Sequence, residues 1–150
     1  MSANGMAPAA AAQREAPDRP NRGALAGRTV LVVDDDVRNV FALTALLERQ
    51  GVRVIPAEGG EEAGRILEQS LRQVDAILLD MMMPEVDGYE TLRRIRKRPE
   101  LRKLPIIALT ARAMRGDRER CLDAGASDYI AKPIDGSQLL DMLSRWLSAS

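Results

Sequence analysis

Four places along the chain carry groups able to act together on a phosphoryl group. Asp34, Asp35 and Asp36 are consecutive. Asp80 closes the aliphatic run Ala76–Leu79. Thr110 closes Ile106–Leu109, and Lys132 stands directly before Pro133. Each follows a short stretch of β-branched or aliphatic residues, so each sits where a buried strand would end. Carboxylates brought close together repel, and some must take up protons unless a cation neutralises them. A hard divalent cation with oxygen ligands meets that need; Mg²⁺ commonly binds one or two carboxylates together with waters and phosphate oxygens. A carboxylate beside Mg²⁺ and an ammonium is placed to attack phosphorus, because both cations offset charge on the phosphoryl oxygens. Aspartyl phosphate is a recognised product of carboxylate nucleophiles. Taken alone, Asp34–Asp36 read equally well as a helix cap, since Asp suits the N-cap and the helix dipole. With Asp80 and Lys132 added, metal binding is the stronger reading, and Asp36 is left as the cap.

What is missing narrows the chemistry further. The chain of 150 residues contains no histidine. Ser-His-Asp catalysis, His-ligated zinc and an internal phosphohistidine are therefore excluded, and a phosphoryl donor must come from outside. Lys plus Arg and Asp plus Glu number 22 each, so the formal net charge is zero, giving no support for wholesale nucleic-acid or membrane binding. Aromatic residues make up 3 %, too few for a base-stacking platform. One cysteine permits no internal disulfide and fits a reducing compartment. No signal peptide and no membrane-length apolar run is apparent, so a cytoplasmic location is expected.

The elements that must position these residues follow from hydrophobic period. Residues 1–27, rich in Ala, Pro, Gly and Arg, have no apolar periodicity and are expected to form a disordered tail or linker; residues 28–150 form the domain. Thr29–Val33 reads as a strand. Val37–Gln50, with Val37, Val40, Phe41, Ala45 and Leu47 at near-helical spacing, reads as a helix stopped by Gly51. Val52–Ala57, Val74–Leu79, Leu104–Leu109 and Ser127–Ala131 read as further strands. Between and after them come helices over Gly60–Ser70, Tyr89–Lys97, Met114–Ala124 and Gln138–Leu147. Strand and helix alternate five times, which predicts an α/β fold with a parallel sheet covered on both faces. In such sheets ligands bind beyond the carboxyl ends of the strands, where the acidic residues, Thr110 and Lys132 would converge.

In this order the segments VLVVDDD (Val30–Asp36), DAILLDMMMPEVDGYE (Asp75–Glu90), PIIALTA (Pro105–Ala111) and DYIAKPI (Asp128–Ile134) resemble the receiver domain of two-component response regulators, most closely receivers of hybrid sensor histidine kinases. The resemblance covers Arg28 to about Leu147. It implies a doubly wound, flavodoxin-like sheet of order 2-1-3-4-5. It implies Asp80 as phosphoacceptor. Asp35 would be a direct Mg²⁺ ligand, Asp34 would act mainly through water, and the Met82 backbone carbonyl would be the third protein ligand. Thr110 would follow the phosphoryl group, Lys132 would pair one of its oxygens through a cis peptide to Pro133, and Tyr129 would be the switch aromatic. The implied phosphodonor is a histidine kinase or histidine phosphotransfer protein. Output would pass to a downstream protein through the fourth helix, fifth strand and fifth helix. No turnover enzyme is implied, beyond catalysis of the domain's own phosphorylation and dephosphorylation. Met82 and Arg112 stand where they would alter phosphate lifetime.

The remaining features read as ordinary packing or surface. Met81–Met83 are adjacent and cannot easily converge on one copper ion. Cys121 is expected to be a small packed or half-exposed thiol and Trp146 to lie on the packing face of the last helix. The basic stretch Arg93–Lys103 and the group Arg112, Arg115, Arg118 and Arg120 read as solvated faces, with a docking surface for an acidic partner as the alternative. Three rivals stand beside the phosphoacceptor. Asp34 and Asp36 satisfy the D-x-D of haloacid-dehalogenase-type phosphohydrolases, although no cap domain is evident. An adaptor indifferent to phosphorylation and, more distantly, a flavin module complete the set.

Overall fold

Period-two alternation on the central strands builds two hydrophobic layers around one sheet. The computed structural model describes residues 22–70, 73–83, 88–111 and 115–148. The strands are β1 (Thr29–Val33), β2 (Arg53–Ala57), β3 (Ala76–Asp80), β4 (Ile106–Thr110) and β5 (Asp128–Ala131). The helices are α1 (Val37–Glu48), α2 (Gly60–Ser70), α3 (Gly88–Arg96), α4 (Arg115–Ala124) and α5 (Gly136–Ser148). All pairings are parallel and the order is β2-β1-β3-β4-β5, as the resemblance implies. β1, β3 and β4 are buried along their whole length, because parallel strands inside a doubly wound sheet meet helices on both faces.

Leu31, Val33, Ile77, Leu79, Ile106 and Ala108 pack on one face with Ala63 and Leu67 of α2, Leu92 and Ile95 of α3 and Cys121 of α4. Their sequence neighbours Val30, Val32, Ala76, Leu78, Ile107 and Leu109 pack on the other face with Leu43 and Leu47 of α1 and Leu139 and Leu143 of α5. Local capping agrees with this plan. Asp36 caps α1 by accepting from the Arg38 N–H at 2.9 Å. Gly51 ends the α1 segment at φ +82°, a conformation that disfavours a side chain. Cys121 is buried, the packed one of its two expected settings. Trp146 packs against the α1/α5 layer, its indole N–H donating to Asp128 Oδ2 at 3.1 Å.

Two expectations need correction. The composition predicts a tail as far as residue 27. Residues 1–21 lie outside the described residues, but Arg22–Leu25 form a 3-10 turn packed against α5. Leu25 is wholly buried there, and Arg28 clamps the turn, donating to Ala24 O and Leu147 O and pairing with Asp75 at 3.6 Å. A single large apolar anchor between alanines and glycines leaves no period to read. On α1, Val37 and Phe41 are not core residues: they are 77 % and 76 % exposed. The inward stripe runs through Leu43 and Leu47, with Val40 and Leu46 partly buried beside it.

At the amino-terminal edge of the sheet, Arg96 is held without a carboxylate partner among the described residues. It donates to Gly125 O at 2.7 Å, to Leu101 O, to Arg102 O and to Ser127 Oγ. Burial pushes its guanidinium below the usual value. Among the described residues no helix is long and apolar enough to cross a membrane.

Candidate functional site

The strand order reverses direction between β1 and β3, which opens a crevice beyond their carboxyl ends. Val33 pairs with Leu79, so continuing the register sets Asp34 beside Asp80. On the other flank Thr110 pairs with Ala131, and the Lys132 N–H donates to Thr110 O at 2.7 Å. The polar residues at the strand ends thus meet on one rim. Asp34, Asp80 and Thr110 are buried, at 2, 3 and 4 % exposure, while Asp35 is exposed and Lys132 half-buried.

Lys132 Nζ lies 3.0 Å from Asp80 Oδ1, a charge-assisted hydrogen bond. The same oxygen accepts the Met82 N–H at 2.9 Å. Asp34 Oδ1 accepts the Asp36 N–H at 2.8 Å. Asp34, Asp35 and Asp80 each offer a carboxylate oxygen, and these oxygens lie within 4.8 Å of one another. The peptide between Lys132 and Pro133 is cis.

The electrostatics are unbalanced in a way that tests the metal. Three carboxylates face one ammonium. Asp34 Oδ2 is a buried acceptor with no hydrogen-bond partner, and such atoms are costly to leave unmet. Burial raises the Asp34 pKa above its ordinary value; the Asp36 N–H opposes this and the Asp80 charge adds to it. A divalent cation held by Asp34, Asp35 and Asp80 would satisfy the orphan oxygen and offset the charge, so the residues present fit Mg²⁺.

The rim has surroundings that residue patterns did not disclose. Val37, Phe41 and Met82 are three of the four large hydrophobic side chains exposed among the described residues, and all belong to segments that begin at the rim. Asn39 lines a recess of about 250 Å³ with Asp34, Lys132, Leu43 and Leu109. The one signal in the sequence is that Val37 and Phe41, four apart, fall off the stripe through Leu43 and Leu47. Met83 is buried and Met81 packs against the core, in keeping with a packing role for the methionine run. Tyr129 is half-buried on edge strand β5, packed against the α2–α4 layer. Arg112 lies outside the described residues.

Residues 30–144 match the family of the response regulator receiver domain. The chain belongs to that family. Curated relatives include the signal transduction histidine-protein kinase BarA of Shigella flexneri, 39 % identical over 122 residues, covering 81 % of this chain and 13 % of the kinase. They also include a 14.6 kDa protein of Leptolyngbya boryana, 38 % identical over 125 residues, covering 83 % of this chain and 94 % of that protein. The receiver therefore spans a small part of the hybrid kinases it resembles and nearly all of a short relative. Among solved structures, the receiver domain of a Pseudomonas aeruginosa sensor histidine kinase, with magnesium coordinated in its active-site cleft, is 43 % identical with a TM-score of 0.73. It covers 82 % of this chain and 99 % of that one. A response regulator from Chloroflexus aurantiacus reaches a TM-score of 0.76 at 35 % identity, covering 81 % and 98 %. The receiver is a signalling domain of two-component systems.

Proposed function

We propose that Asp80 accepts a phosphoryl group from a phosphohistidine in trans and that the acyl phosphate changes the receiver's affinity for a downstream protein. The observation that carries this reading is the pairing of buried Asp80 with Lys132 at 3.0 Å beside two further carboxylates. Asp80 Oδ attacks phosphorus, the P–N bond breaks, and the pair of electrons leaves with the donor imidazole. The Asp80 oxygen that bonds Lys132 and the Met82 N–H is held in position, leaving its partner oxygen for attack. Mg²⁺, held by Asp34, Asp35, Asp80 and the Met82 carbonyl, would neutralise charge on the phosphoryl oxygens. Lys132 then follows the product oxygens, and the Thr110 hydroxyl turns towards them. Tyr129, on the strand that leads into Lys132, repacks and alters the α4–β5–α5 face. Phosphorylation shifts a pre-existing equilibrium by its differential interaction with the two states.

The exposed pair Val37 and Phe41 on α1 adjoins the rim and suits an apolar patch on the donor. Such a reaction belongs to the cytoplasm, where phosphohistidine donors act. No cap over Asp34 and Asp36 is seen among the described residues, and Asp36 is engaged as a helix cap, so the phosphohydrolase reading is not favoured.

The test is incubation with acetyl phosphate, read by intact mass. A single phosphoryl adduct is expected on wild type with Mg²⁺, and none with EDTA or in Asp80→Asn. An adduct that persists in Asp80→Asn would overturn the assignment.

A further inference from the structure

The stretch following the middle of α3 carries an unneutralised charge cluster that the phosphoryl chemistry does not use. Arg93, Arg94, Lys97, Arg102 and Lys103 are all exposed. None makes an ion pair among the described residues. The one carboxylate within the stretch, Glu100, is taken by Arg98 at 2.9 Å. Five exposed cations on one end of a chain with zero net charge form a local field that the composition conceals.

Helix period sorts them. Thr91, Leu92 and Ile95 are buried. Arg94 on α3 and Arg98, in extended backbone just past its end, both line the α2 side, while Arg93 and Lys97 stand one turn apart beside them. Between Arg94, Arg98 and α2 lies a groove of about 400 Å³ that reaches Leu101. Gly64 leaves its α2 wall open, with nothing within 4 Å of the point where a side-chain methyl would stand, and Glu61, Arg65 and Glu68 line the same wall. One side of the groove is therefore basic and the other mixed.

We propose that this groove and its basic rim dock an acidic amphipathic helix of a protein partner, with acidic side chains along α3 and a cationic edge against Glu61 and Glu68. A polyphosphate chain fits less well. Glu61 and Glu68, on the α2 wall, would repel it. The position also has a consequence. α3 runs back from the Asp80 end of the sheet, and its last turn leads through Pro99–Leu101 to the start of β4. Ile106 and Thr110 are four residues apart, about 13 Å along the strand, so the basic turn sits at the pole opposite the phosphoryl rim. The Glu61 end of the groove lies nearer the rim, because α2 starts just past β2, but among the described residues neither Asp80 nor Lys132 lines it; a partner held there leaves Asp80 open to its donor, and its binding is independent of phosphorylation.

The test uses the full chain, isotopically labelled, at about 0.15 M salt, where the screening length is ~8 Å. The probes are a synthetic Glu/Leu/Lys helical peptide with glutamates on one edge and lysines on the other, and a short DNA duplex. Saturable amide shifts are expected at Gly64, Arg94, Arg98 and Leu101 with the peptide, unchanged in Asp80→Asn. They should weaken at least tenfold in the triple variant Arg93→Glu, Arg94→Glu, Lys97→Glu, whose unfolding midpoint stays at the wild-type value. Absence of saturable shifts, shifts centred on the rim, no effect of charge reversal, or tighter binding of the duplex would each overturn the proposal.

Discussion

Asp34→Asn should make the metal-free protein more stable while weakening its hold on Mg²⁺. Asp34 and Asp80 present oxygens no more than 4.8 Å apart. At an effective dielectric of ~20, two unit charges at that separation repel by about 3.5 kcal/mol. Lys132, bonded to Asp80 at 3.0 Å, offsets part of this for both carboxylates. The asparagine keeps the Oδ1 that accepts the Asp36 N–H. It also replaces the partnerless Oδ2 with an NH₂ group able to donate to the remaining acids. The expected gain in EDTA is about 2 kcal/mol, a rise in Tm of about 5–10 °C for a domain of this size. Unfolding is followed by fluorescence of Trp146, the one tryptophan. With Mg²⁺ at about a hundred times its Kd the wild type gains about 2.7 kcal/mol; the variant, short of one ligand, gains less, and the gap closes or reverses. The pH dependence has a definite sign. The folded state binds the Asp34 proton more tightly than the unfolded chain does, because its pKa is raised from 3.8. Wild-type stability in EDTA therefore falls as pH rises from 3.8 through the raised value, and the advantage of Asp34→Asn fades again on acidification. A variant no more stable than wild type in EDTA at neutral pH would refute the electrostatic account.

Other outcomes follow from the same geometry. Leu25→Ala should cost about 2–5 kcal/mol in urea unfolding, since Leu25 is wholly buried; a chain beginning at Arg28 should lose at least as much. Arg96→Ala should cost about 2–4 kcal/mol by stranding the carbonyls of Leu101 and Gly125, and Arg96→Lys should recover less than half, because a lysine cannot reproduce the fork. Phe41→Asp should slow phosphotransfer from a histidine phosphotransfer protein at least tenfold in a stopped-flow or gel assay. Its labelling by acetyl phosphate should match wild type, because Phe41 is 76 % exposed and is not among the acidic residues that gather at the rim. Equal slowing with both donors would place Phe41 in the site itself.

The legible parts of this receiver are those governed by local pattern. Strand runs ending in Asp34, Asp80 and Thr110 announce themselves because a strand buried on both faces must be continuously apolar, so the first polar residue marks the rim; Lys132, after the half-buried edge strand β5, is marked instead by the short run Tyr129–Ala131 before Pro133. The cap at Asp36 and the stop at Gly51 are likewise set by backbone chemistry within a few residues. Element bounds shift by one or two positions, as at Gly88 for α3 and Gly136 for α5, where close packing against Met81 and Leu46 rather than propensity decides the first turn.

Three things require the folded chain. Which apolar residues of α1 face inward depends on where the sheet lies. Val37 and Phe41 pass for core residues by period alone, and only the stripe through Leu43 and Leu47 against β1 and β3 shows that they face outward. Leu25 carries no period at all, and its burial exists because α5 presents a surface for it. The imbalance at the rim, with Asp34 Oδ2 unsatisfied and one ammonium facing three acids, arises only when parallel pairing carries side chains from distant stretches of sequence to adjacent positions. Residue type and order state which groups reach a strand end; distance, burial and dielectric, which set what those groups can do, are properties of the assembled sheet.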